Sequence, residues 1–191
     1  MAYTLEQFSA DCRKALKENP GTDGREKVRV LLERLLENKD FVAAHCGPDA
    51  ELGIHTLYHD PETDFYVLAH IQDTSRKSPP HDHGPSWAVY GQAVGHTDMT
   101  VWKRTDDGKT AGHAEVEPDR TFRLTPGKAG LFDVGDIHQI EFTDRARFVR
   151  ITGTDLATVP TYKFDPKAKT VERADRSGQH AAAGAATAAV R

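Results

Sequence analysis

The chain has 191 residues, 38% of them hydrophobic, and its 25 basic and 29 acidic side chains give a formal net charge of −4. That length suits one domain with a usable core, and the mildly negative balance, with no basic stripe, argues against a nucleic acid partner. No apolar run approaches the roughly 20 residues that cross a bilayer, and the start MAYTLEQFSADC lacks the basic-then-apolar layout of a secretory leader. A soluble, cytoplasmic protein with no membrane partner is therefore expected. Two cysteines, Cys12 and Cys46, are too few for a disulfide scaffold.

In chain order, Leu5, Phe8, Cys12, Ala15 and Leu16 recur at three and four residues behind a Thr4 cap, predicting a helix that ends near Asn19-Pro20-Gly21. Cys12 lies in its stripe and is expected to be buried rather than reactive. Val28, Leu31, Leu32, Leu35 and Leu36 predict a second helix over about 25–38, and a shorter third runs over 40–45. After Cys46-Gly47-Pro48 the period changes. Strands are predicted at roughly 54–59, 65–72, 86–94, 97–104, 120–124, 130–133, 138–142 and 146–152, with turns at PETD, SRKSPP, TDDGK, EPDR and TPGK. Short strands so punctuated indicate an antiparallel barrel or sandwich, and eight suit a jelly roll. Beyond Tyr162 the pattern fades, and from Ser177 an Ala-rich tail follows, whose His180 is left out of any site. The expected organisation is helices over 1–50, a barrel over 51–162 and an extension over 163–191, one domain in all.

The stretch PPHDHGPSWAVYGQAVG, from Pro79, sets His81 and His83 two residues apart. Along a strand that spacing puts both rings on one face, where they either share an ion or simply flank a turn. Spacing alone leaves both readings open. Downstream, Gly127-Lys-Ala-Gly-Leu-Phe-Asp-Val-Gly135-Asp-Ile-His138 adds a third histidine after a tight turn and inside an apolar run.

Together these segments resemble the cupin superfamily, whose motifs are G-x5-H-x-H-x3,4-E-x6-G and G-x5-P-x-G-x2-H-x3-N. The first is matched by His81, His83 and Gly95, the second by Gly127, Gly135 and His138. Ser75, Asp133 and Phe142 replace the leading glycine, the proline and the asparagine, and Ala88 replaces the glutamate ligand. Loss of that carboxylate with an HDH core resembles the thiol dioxygenases, cysteine dioxygenase and its bacterial relatives. The resemblance covers about residues 1–155 and is specific around 79–102 and 127–142. It implies a mainly β cupin double-stranded β-helix, or jelly-roll barrel, with an N-terminal helical segment and one metal at His81, His83 and His138. Their pocket residues are not retained: the carboxylate-gripping arginine falls on His55, and the serine, histidine and tyrosine late in the barrel fall near Phe148, Arg150 and Thr152.

Three neutral imidazoles leave an ion its full charge and several open positions, so the resemblance implies Fe(II), with Zn, Ni or Mn as alternatives, binding substrate and O2 together. If Ala88 faces the metal, alternation brings Tyr90 and Gln92 inward while Trp87, Val89 and Gly91 face away. Tyr90 and His70 are the catalytic candidates, each weighed against simple packing. Arg150, His55, Gln92 and Gln72 are the substrate-binding candidates: His55 and His70 are expected to face the cavity from neighbouring strands, with Arg150 supplying a fixed charge for an acid group. Asp82 and Asp136, beside the candidate ligands, are expected to form turns rather than hydrogen-bond the histidine rings. The expected activity is an Fe(II)-dependent dioxygenase acting on a small polar or anionic molecule, a thiol among the candidates, with a homo-oligomer left open. A metal-dependent lyase or isomerase and a ligand-binding cupin are the alternatives.

Overall fold

A computed structural model describes residues 2–174; the Ala-rich tail and His180 lie outside the described residues. Thr4 opens the first helix with a reciprocal cap: its hydroxyl accepts from Gln7 N, while its own N–H donates to the Gln7 side chain. The helix, α1, runs Leu5–Glu18 and buries Phe8, Cys12, Ala15 and Leu16, the stripe read from sequence. Then come α2 (Thr22–Leu36) and α3 (Lys39–Cys46), which Asn38 caps. Both cysteines are free and buried, and burial pushes the Cys46 thiol up to about 11. No helix among the described residues is long and apolar enough to cross a membrane.

Eleven strands follow: β1 (Gly53–His59), β2 (Tyr66–Ile71), β3 (Arg76–Lys77), β4 (Ala88–Val94), β5 (Thr97–Arg104), β6 (Val116–Leu124), β7 (Ala129–Phe132), β8 (Ile137–Phe142), β9 (Arg147–Thr152), β10 (Thr161–Asp165) and β11 (Thr170–Ala174). They form a five-stranded sheet, β1-β2-β9-β4-β7, a four-stranded sheet, β3-β8-β5-β6, and the hairpin β10-β11. Every pairing is antiparallel. Strict alternation gives the larger sheet two apolar faces. Val67, Ala69, Val89, Val149 and Ile151 turn toward the helices and meet Leu32, Leu35 and Leu36. Ala88, Tyr90 and Phe148 turn inward and meet Met99, Ile140 and Phe142 of the other sheet. The chain is thus a jelly roll with helices laid on one face, as expected. Gly91 is where α2 comes closest: a Cβ there would sit 2.7 Å from both Leu32 and Leu36.

Three expectations need correction. The EPDR segment is not a turn but the middle of β6, where the register slips between Val101 and Trp102 and leaves Asp119 without a partner. A sheet edge tolerates Pro118 because its missing N–H can face solvent. SRKSPP contains the short strand β3, and the segment after Tyr162, read as patternless, folds as the β10-β11 hairpin. Its apolar positions are few, but Phe164 and Val171 pack with Ala114, Val116, Ile137 and Trp102 as a third cluster outside the barrel.

Asp60 ties the helical face to the barrel. Its carboxylate accepts from Thr63 N (2.8 Å), Thr63 Oγ1 (2.9 Å), Glu62 N (3.0 Å), Arg13 Nε (2.7 Å) and Tyr58 OH (2.9 Å). Burial pushes its pKa up, but the donors from Thr63, Arg13 and Tyr58 win and hold it at about 2. That lies below the roughly 3.9 of an unfolded aspartate. The stabilisation is therefore present above about pH 4 and disappears as pH falls toward about 2. Asp60→Asn is expected to lower stability at neutral pH by roughly 2–3 kcal/mol and to flatten the acid limb of urea unfolding between about pH 4 and 2. An acid limb of unchanged slope would contradict this assignment.

Candidate metal centre

His81, His83 and His138 are buried together, each offering a ring nitrogen within 4.8 Å of the other two. Backbone pairing assembles them. His81 N donates to His138 O at 2.8 Å and His138 N donates to His81 O at 2.9 Å, so the two residues are directly opposed and their rings share one face. The ring centroids of His138 lie 4.4 Å from His81 and 4.8 Å from His83. His138 is also stacked on Phe132, centroids 4.0 Å apart at 24°, which fixes the ring plane. His83 sits in the turn after the bridge. Gly84 makes that turn possible: its φ is +59°, and a Cβ there would lie 1.8 Å from Pro160 O.

Second contacts orient the rings. His81 Nδ1 is 3.0 Å from Pro79 O; a carbonyl only accepts, so the proton lies on Nδ1 and the lone pair on Nε2. Tyr90 OH is 3.2 Å from His83 Nε2. Asp82 and Asp136 serve turns. Asp82 Oδ1 accepts from Gly84 N and from Tyr162 N, tethering β10 to the histidine loop, and Asp136 Oδ2 accepts from Asp133 N.

Three ring nitrogens held about 2.0–2.1 Å from one ion that keeps open positions lie roughly 3.0–3.5 Å apart, so rings whose nitrogens already lie within 4.8 Å of one another need to close in by at most about 2 Å per pair to chelate. Three neutral imidazoles without a carboxylate suit a divalent transition-metal ion. Ala88, on the inner face of β4 and fully buried, offers no ligand atom.

A cavity of about 180 Å³ opens beside His81, lined among others by Ile54, His70, Gln72, Arg76, Tyr90, Phe148, Arg150 and Lys163. His70 stacks on Phe148, centroids 4.6 Å apart at 17°, and Arg150 lies opposite Tyr90 across the β4-β9 ladder. Arg150 is 5% exposed, and its Nε and Nη2 have no hydrogen-bond partner among the described residues.

Two candidate residues lie elsewhere. His70 is paired with Ile54, and His55 with Ala69. Neighbours along a strand face opposite ways, so Ile54 reaches the cavity while His55 faces out and bonds Glu51 O through Nε2 at 2.7 Å. Gln92 is inward as expected but sits away from the cavity. Its amide is satisfied by Val94 O and Thr97 Oγ1, each at 2.7 Å. Lys163 and Arg76 are the lining residues that sequence reasoning missed. A signal existed for Lys163: Tyr162-Lys163-Phe164 alternates as a strand does.

No family model matches the sequence, and no curated protein matches it significantly. Solved structures do. The DMSP lyase DddQ from Ruegeria pomeroyi is 16% identical with a TM-score of 0.40; the match covers 56% of this chain and 49% of that one, so the chain spans about half the lyase's length. The cupin domain of Cnp3 from Schizosaccharomyces pombe is 16% identical at a TM-score of 0.41, over 56% of this chain and 66% of that one. The hydroquinone 1,2-dioxygenase PnpCD, in complex with Cd2+ and 4-hydroxybenzonitrile, is 11% identical at 0.42, over 63% and 74%. Each named activity is a property of that protein. The strand order and antiparallel register of this chain define its class: a double-stranded β-helix, or jelly roll, with a three-histidine cluster that could hold a metal ion.

Proposed function

We propose that the chain is a mononuclear non-haem Fe(II)-dependent dioxygenase of the thiol dioxygenase kind, with an altered pocket, acting on a small polar or anionic molecule. The observation that carries this reading is the meeting of three imidazoles, with no carboxylate among them, beside a cavity that His81 and Arg150 both line. His81, His83 and His138 would hold the ion. Iron bound there would supply electron transfer to dioxygen, which no side chain on the wall can provide. The protein residues do the rest. Arg150 presents a guanidinium that matches a carboxylate with two parallel hydrogen bonds, and Gln72 adds an uncharged amide to the same lining. Tyr90 places a hydroxyl within reach of the ligand set, where it can donate to a reacting oxygen or sulfur atom. Phe142, Phe148 and Ile140 exclude water from one side of the cavity.

Iron-loaded protein is expected to consume oxygen in an electrode cell with at least one member of a panel of small thiols and carboxylic acids. Persistent absence of substrate-dependent uptake would sink the oxygenase reading. A metal-dependent lyase or isomerase is the second reading, favoured by His70, a side chain able to move protons on the same wall. Zinc or nickel in protein purified from cells, with turnover under argon, would select it.

A further inference from the structure

We infer that the cavity takes a small dianion, a dicarboxylate, with one acid group against Arg150 in the interior and the other at the mouth against Lys163 and Arg76. This rests on the proposed function only in taking the cavity as the substrate site; it requires neither iron nor oxygen.

The interior anchor is Arg150. Its guanidinium is nine-tenths buried, and Nε and Nη2 lack hydrogen-bond partners among the described residues. A buried charge so placed is stabilised by an arriving carboxylate, which accepts two N–H bonds at once.

The mouth is built by register. Asp82 N donates to Tyr162 O at 3.1 Å and Phe164 N donates to Pro80 O at 2.9 Å, which makes His81 and Lys163 a directly opposed pair of the closer, non-hydrogen-bonded type. His81 is in turn opposed to His138. Lys163, His81 and His138 therefore form one rung across three chain segments, with all three side chains on the cavity face. Phe164, the next residue, turns the other way into the cluster outside the barrel. On the far rim, Arg76 is paired with Phe142, an inward residue, so Arg76 projects over the cavity too. Its neighbour Lys77, on the outer face, instead meets Glu141 at 2.7 Å.

No aspartate or glutamate lines the cavity, and none of Arg150, Lys163 and Arg76 forms an ion pair with a carboxylate among the described residues. In a chain of net charge −4, a concave site walled by three cations concentrates anions. The cavity, about 180 Å³, holds the liquid volume of roughly six waters, which suits two acid groups on a short carbon chain.

The test is calorimetric titration of the protein as purified, at fixed ionic strength, with C3 to C5 dicarboxylates and the monocarboxylates of equal length, such as succinate against butyrate. The best dicarboxylate is expected to bind at least about tenfold tighter than its monocarboxylate counterpart, or about 1.4 kcal/mol. Lys163→Met should cut that ratio to threefold or less while leaving the monocarboxylate's affinity unchanged, Lys163→Arg should restore it, and Arg150→Met should weaken both acids. A wild-type ratio near one, no binding of either acid, or equal weakening of both acids by Lys163→Met overturns the proposal. Oxygen uptake distinguishes the two claims. A flat ratio in a protein that consumes oxygen removes the dianion site alone, and a steep ratio without turnover removes the oxygenase alone.

Discussion

His138→Ala is expected to empty the metal centre. His138 offers one of the three ring nitrogens that could hold the ion, is fully buried, and is the residue whose backbone pairing with His81 brings the two distant segments together. Replacing an outer-shell partner usually lowers metal affinity about 10–100-fold, so losing one of three direct ligands should exceed about 100-fold. Elemental analysis of dialysed protein would then find metal well below one ion per chain, and any metal-dependent activity would fall with it. The strand should survive, because its backbone bonds to β5 do not involve the ring. His70→Ala is the control: His70 lies on the cavity wall outside the cluster, and its loss should leave metal content unchanged. Full metal occupancy in His138→Ala would remove the centre as described.

Arg150→Met is expected to act in opposite directions on stability and on function. A buried guanidinium with two partnerless N–H groups opposes folding, since the charge leaves water without full compensation. An apolar chain of similar length should therefore raise the stability of ligand-free protein by roughly 1–3 kcal/mol in urea unfolding. The same change removes the fixed charge proposed to receive an acid group. Truncating one member of a buried charge pair costs about 2–5 kcal/mol of binding, so KM for an acidic substrate should rise on the order of 10²-fold or more. Metal content should stay at the wild-type level. Unchanged kinetics, or a destabilised protein that has lost its metal, would refute the anchoring role.

The parts of this molecule legible in the sequence are those with a short repeat. The apolar stripes at three- and four-residue spacing located α1 and α2, because α1 buries its face on α2 and α2 buries its own on the sheet. Alternation placed Ala88 and Tyr90 inward and Val89 outward, because a strand between two packed layers cannot turn any other way. His81, His83 and His138 were recoverable because two sit on one short segment and the third follows a glycine turn in a strand.

Other features depended on pairings between segments far apart in the chain. Alternation states that His55 and Ile54 face opposite ways, but only the partner strand decides which faces in, and the β1-β2 register turned His55 outward. Gln92 was inward by the same rule, yet Thr97 and the Val94 carbonyl claimed its amide at the far end of the barrel. Lys163 shows locally only the alternation of a strand, and it became a cavity residue because Asp82 and Pro80 pair the final hairpin with the histidine loop. Periodicity is a property of one segment and its solvent, so a single chain reveals it. Register, and the cavity that register encloses, belongs to pairs of segments and exists only once both are in place.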